Sequence, residues 1–144
     1  MKIVRVVAIA FGIYVVLGLV LDASIGTFQP QMETTAVLRT FDASGTPKET
    51  VLSLLDDNGQ LWVESGHWFR GWYHRAVANP DVELVRDGRT EAYRAAPIDT
   101  DEAVATVTRL MGKGQGVGYW VGRAMLLWAP IKPVRLDPQM PRPS

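Results

Sequence analysis

The residues best suited to chemistry gather between Glu64 and Arg75, in ESGHWFRGWYHR. A strand that ends in Ser65-Gly66 offers exposed backbone N–H groups. The start of a helix favours anions, and Arg70, just before one, supplies a forked donor. Together they suit the phosphate of a bound cofactor. The competing reading makes the same stretch an aromatic core helix with an incidental surface arginine. His67 and His74 stand seven residues apart with no carboxylate pair at ligand spacing, which argues against a metal site. The glycines at 112, 114, 116 and 118 invite a phosphate-loop reading, but their spacing fits neither G-x-G-x-x-G nor G-x-x-x-x-G-K-[ST] and no strand leads into them. They read as a flexible connection. No Ser-His-Asp order stands out from the many serines and aspartates.

Composition narrows the function classes further. The 15 basic and 15 acidic side chains cancel and no run of Lys or Arg occurs, so the field of a nucleic-acid binder is missing. With no cysteine, disulfides, zinc-thiolate sites and thiol nucleophiles are excluded. A chain of 144 residues fits one domain, and 47% hydrophobic residues against 21% charged ones rules out a disordered one.

The first 21 residues differ from the rest. From Val6 to Leu21 every residue is apolar, Gly or Tyr, and counting from Ile3 the segment has 19 residues. As a helix it would measure about 28 Å, close to a hydrocarbon core. Arg5 can snorkel from the end of such a helix. Lys2, Arg5 and the small-x-small Ser24-Ile25-Gly26 also suit a signal peptide, but the apolar run exceeds the ~7–15 residues of a signal core, which favours an uncleaved anchor. Lys2 and Arg5 before the span, with Asp22 and Glu33 after it, place the N-terminus in the cytoplasm and the domain outside.

Residues 22–32 read as a linker, 33–137 as the domain and 138–144 as a Pro-rich tail. Two hairpins are expected, KETVLSLLDDNGQLWVES turning on Asn58-Gly59 and VELVRDGRTEAYRA turning on Asp87-Gly88. ETTAVLRTF (33–41) and IKPVRL (131–136) are further strands, the last confined by Pro133 to an edge or bulge. Phe69, Trp72, Tyr73 and Ala76 form the apolar face of a short helix, with Asn79 as a left-handed cap before Pro80. A second helix is expected to start at an Asp99-x-x-Glu102 capping box, with Val104, Val107, Thr108 and Met111 on one face. Residues 117–128 fit either a third helix or a buried irregular segment. Hairpins and intervening helices point to a mainly β (α+β) chain, a small antiparallel barrel or sandwich with helices outside it.

At this level the sequence resembles the deazaflavin-dependent nitroreductase family of split β-barrels, related to flavin-nucleotide-binding barrels. The resemblance rests on TVL (50–52) after SGTPK, on LWVES, on WYHRAVANPDVEL (72–84) and on APIKPVRL (129–136). It covers about Ala36 to Leu136. It implies a six-stranded antiparallel split barrel, and hydride transfer from a reduced 8-hydroxy-5-deazaflavin coenzyme, or from FMN, to a nitro compound, quinone or similar small-molecule acceptor. By the same resemblance Lys48, Ser65, Gly66, His67 and Arg70 would hold the phosphate tail, Trp72 would pack beneath the ring wall and Tyr119, with Trp120 beside it, would face the acceptor. The chain departs from the family pattern at Ala43, which stands at a basic position and follows Asp42, and at Val51-Leu52, where the family has Pro-Leu. Such barrels commonly dimerise, so a homodimer is implied. Two functions follow: a membrane-tethered oxidoreductase, or a barrel that binds no cofactor and serves as a ligand-binding or interaction module at the membrane.

Overall fold

The computed structural model describes residues 2–28, 35–66, 70–125 and 128–139. The expected residue His67, and Phe69 of the expected helical face, lie outside them.

Eleven elements follow in chain order: α1 (Lys2–Phe28), β1 (Thr35–Phe41), β2 (Pro47–Ser53), β3 (Leu55–Asp57), β4 (Gln60–Ser65), α2 (Gly71–Ala78), β5 (Asp81–Arg86), β6 (Arg89–Pro97), α3 (Asp101–Gln115), α4 (Val117–Met125) and β7 (Lys132–Pro138). The seven strands form one antiparallel sheet in the order β2-β1-β5-β6-β7-β4-β3. Its two ends curl together where β2 meets β4, which makes it a split barrel. Six strands were expected. The seventh arises because the outer arm of the first hairpin breaks at Leu54: Pro47–Ser53 pairs with β1, while Leu55–Asp57 turns away to pair with β4.

Both hairpin turns form as their sequences require. Asn58 and Gly59 have φ of 55° and 89°, Asp87 and Gly88 have 51° and 72°, the positive values of a two-residue turn that matches strand twist. In the first, Asp56 also accepts from Gly59 N at 2.6 Å.

Two layers of apolar side chains hold the barrel. Inside it, Ala36, Leu38, Leu52, Val63, Trp72, Ala76, Val82, Leu84, Tyr93, Ala95, Val134 and Leu136 are buried together, with α2 closing one side against β1 and β6. Outside it, Trp62 and Ile131 are covered by Ala103, Val107 and Met111 of α3 and Tyr119 of α4. On the open face of the sheet Arg39 lies between its cross-strand neighbours, bonding Glu49 at 2.8 Å and Glu83 at 2.7 Å.

Several local expectations are corrected. Helix α1 runs on through residues 22–28, expected as linker. DASIG contains no proline, so a helix already nucleated by the apolar run continues through it. Asn79 is extended (φ −132°) rather than left-handed, because the ring of Pro80 disfavours a helical conformation in the residue before it. Thr100, not Asp99, caps α3, accepting from Ala103 N at 3.2 Å. The glycine run is no loose connection: Gly112 and Gly114 lie within α3, Gly118 lies within α4, and only Gly116, at φ 55°, breaks the chain between them.

Pro133 sits in a central strand, between β6 and β4, and not at an edge. Its carbonyl accepts from Ile98 N at 3.1 Å. Its nitrogen therefore also points to the β6 side, where the ladder has already ended at Pro97 opposite Val134. Opposite Glu64 no donor is lost. Pro138, assigned to the tail, is the last residue of β7.

Candidate functional site

The turn between β1 and β2 and the start of α2 meet on one side of the barrel. Thr40 is fully buried at the end of β1, opposite Lys48 of β2. Its hydroxyl donates to the Lys48 carbonyl at 3.3 Å and accepts from Nε of Arg75 at 2.8 Å. Arg75 reaches it by folding back along α2 over Gly71, where an added Cβ would meet its Nη1 at 3.1 Å. Residues four apart share a helix face, so the missing side chain of Gly71 makes the room. The bond to β2 is made by the Lys48 backbone carbonyl, and the Lys48 side chain is exposed, its charge felt by Asp42. Arg70 is the N-cap residue, with extended backbone and no side-chain cap bond.

Asp42, the acid that follows Phe41 where a cation was expected nearby, is engaged in its own turn. One of its oxygens accepts from Ser44 Oγ at 2.6 Å, Thr46 N at 2.9 Å and Ser44 N at 3.0 Å. These bonds, the Ser44 hydroxyl first, hold its carboxyl below the usual range, with Lys48 adding to the effect.

The exit of β4 carries the second group. Ser65 faces the barrel interior and is 1% exposed, and Gly66 follows it. Alternation puts Glu64 on the opposite face, beside Trp62 and beneath the outer helices. Glu64 Oε2, Trp62 Nε1 and Tyr119 Oη are all buried without a hydrogen-bond partner among the described residues. Trp62 and Tyr119 share the apolar outer core, and Glu64 follows Trp62 on the same strand face. Burial pushes the Glu64 carboxyl up, against the opposing pull of Arg123 from α4 and Arg70 from before α2. Glu64 therefore keeps its proton beyond the ordinary carboxylate range.

Of the residues expected from the sequence, Lys48 and Arg70 border the first group, and Ser65 and Gly66 the second. Tyr119 is only 4% exposed and belongs to the outer core. Trp72, 3% exposed, is part of the barrel interior, its Nε1 also without a partner among the described residues. Arg75 and Glu64 were missed as site residues. The signal for Arg75 was the glycine one turn before it. For Glu64 it was its place two residues after Trp62, on the strand face that Trp62 takes into the outer core. A depression of about 330 Å³ lined by Leu84, Arg86, Asp87, Arg89 and Glu91 lies at the β5–β6 turn and contains none of these residues.

Residues 20–121 match the family model described as F420H(2)-dependent quinone reductase. The chain belongs to that family. The match starts near the end of the apolar segment of α1, so most of that segment lies outside the family's common domain. No curated protein matches the chain. Among solved structures it is similar to the F420-H2 dependent reductase FDR-A, at 17% identity and TM-score 0.58, over 73% of this chain and 95% of that one. A domain-swapped dimer matches at 16% identity and TM-score 0.59, over 74% and 82%. The heme storage protein HutZ from Vibrio cholerae matches at 17% and TM-score 0.52, over 77% and 85%. At such identities these structures share the fold, and the family membership rests on the sequence match.

Proposed function

We propose that this chain is a reductase anchored to a membrane by α1, which uses a reduced deazaflavin of the F420 type to reduce a quinone or nitro acceptor. The observation that carries the coenzyme reading is the Arg75 guanidinium, held by the Thr40 hydroxyl at 2.8 Å and folded back over Gly71 at the start of α2. That donor set fits the anionic tail of a phosphate-bearing coenzyme. Asp42 does not spoil the fit, because its turn engages it.

When bound, the coenzyme supplies the hydride. The chain supplies binding and orientation. Lys48, Arg70 and Arg75 hold the phosphate end with the Ser65-Gly66 exit, and Thr40 fixes the fork of Arg75. Trp72 stiffens the wall from inside the barrel. Tyr119 is the residue proposed to orient the acceptor. As in the domain-swapped relative, a homodimer is the assembly proposed.

Titrating the full chain in detergent micelles with F420, and separately with FMN, tests this by fluorescence quenching. We expect saturable binding of F420, weakened about tenfold by Lys48→Ala and by Arg75→Ala, equivalent to about 1.4 kcal/mol for one charge-assisted contact. Preference for FMN would replace the coenzyme. Absence of binding to either would leave the cofactor-free reading.

A further inference from the structure

The anchor helix and the outer helix of the barrel touch. Tyr14 of α1 donates its hydroxyl to the carbonyl of Ala124 in α4, and Gly18, one turn on from Tyr14, is buried. Apart from Arg5 near its start, the Ile3–Val20 window of α1 is apolar, with only 6% of it buried. Such a helix suits lipid and not water.

Helix α4 has two faces. Tyr119 points into the outer core, whereas Val117 (79% exposed), Trp120 (50%), Val121 (53%) and, just past the helix, Trp128 (55%) point away from the protein. The Trp120 and Trp128 rings lie 6.2 Å apart, and the Arg123 guanidinium lies 5.8 Å from the Trp128 ring centre. Scattered exposed apolar residues need no cause, but a contiguous set does. We propose that this face of α4 lies in the interfacial layer of the bilayer that α1 enters. The proposal rests on the membrane-anchor part of the function proposed above.

Three observations choose lipid over another occupant. The apolar face is continuous with α1 through the Tyr14–Ala124 contact. Tyr14 lies six residues before Val20, the end of the apolar window, so about 9 Å along the helix. An interfacial helix buries its apolar face about 5–10 Å deep, so the two depths agree. Finally, the last carbonyls of a helix lack partners within it and need them in lipid. Here the protein supplies them. The Arg123 carbonyl accepts from Trp128 N at 2.8 Å, Ala124 from Tyr14, and the nearby Ala129 carbonyl from Arg123 Nη1. Trp beside Arg is the composition of a membrane–water boundary.

The chain has no cysteine, so single sites can be labelled. Nitroxide is attached at Leu17→Cys in α1, Val117→Cys and Val121→Cys in α4, and Val77→Cys in α2 as a 53% exposed control. The full chain is placed in vesicles of phosphatidylcholine and phosphatidylglycerol, and collisions with oxygen and with a water-soluble nickel chelate are measured. We expect Leu17, Val117 and Val121 to be several-fold less accessible to nickel than Val77 while remaining open to oxygen. Leu17 in lipid with Val117 and Val121 as open to nickel as Val77 would overturn the inference and leave the anchor. Leu17 open to nickel would overturn the anchor reading and the inference with it. Shielding of the α4 sites from both probes, with spin–spin broadening between labels, would assign the face to a second copy and overturn the lipid assignment.

Discussion

Glu64 is the residue where charge and burial oppose each other most directly. Its carboxyl is raised by burial more than Arg123 and Arg70 lower it, so the folded protein holds a proton that the unfolded chain releases near the ordinary value of 4.5. Between that value and the raised one the native state binds more protons, and stability falls as pH rises through the window. Glu64→Gln removes this loss. Its melting temperature should exceed that of the parent at neutral pH, and the difference should vanish below the ordinary carboxylate range. Parallel melting profiles across pH would show instead that Glu64 is ionised in the fold. A lone acid in WVES signals a strand position, but its burial, and the pull of Arg123 from α4 more than fifty residues on, are decided by the tertiary structure. Lys48, Ser65 and Arg70 were singled out because the resemblance supplies positions for them. Arg75 was not, because its place depends on Gly71 below it and on Thr40 across the barrel, a contact of 2.8 Å between residues 35 apart.

Among the elements, turns were read correctly and ends less so. Asn58-Gly59 and Asp87-Gly88 were legible because positive φ is a local demand that few residues meet. The start of α3 was placed one residue early, since Asp99 and Thr100 are both competent caps and only one faces the free amide. The two can be told apart by thermal unfolding. Thr100→Ala should cost about 1 kcal/mol through the lost bond to Ala103 N. Asp99→Ala should cost less, since it breaks only an exposed ion pair with Lys132 at 3.1 Å. Equal losses would return the cap to Asp99. The glycines after Met111 were read as a loose link because glycine lowers helix propensity. Packing overrides this: Val107 and Met111 are buried against Trp62, and the helix continues through Gly112 to Gln115.

At the scale of the molecule, β7 joins the two halves of the barrel, pairing with β6 on one side and β4 on the other. Leu136 and Val134 are fully buried on its inner face. Leu136→Ala should therefore cost about 2–5 kcal/mol, read as a large drop in melting temperature, whereas Arg135→Ala, which loses a partly exposed pair with Asp137, should cost under about 1 kcal/mol. The order of the sheet was not legible, and Pro133 misled, because a proline excludes a strand position only if its nitrogen faces a partner. The sequence by itself determined the apolar N-terminal segment, the two turns, the strand-rich domain and the family, since periodicity, turn chemistry and motif spacing act over a few residues each. Only the tertiary structure decided where the outer hairpin arm divides, that Pro133 is central, that Arg75 bonds Thr40, and that the Glu64 carboxyl is buried. Those depend on contacts between segments far apart in the chain, which burial selects and no local pattern encodes.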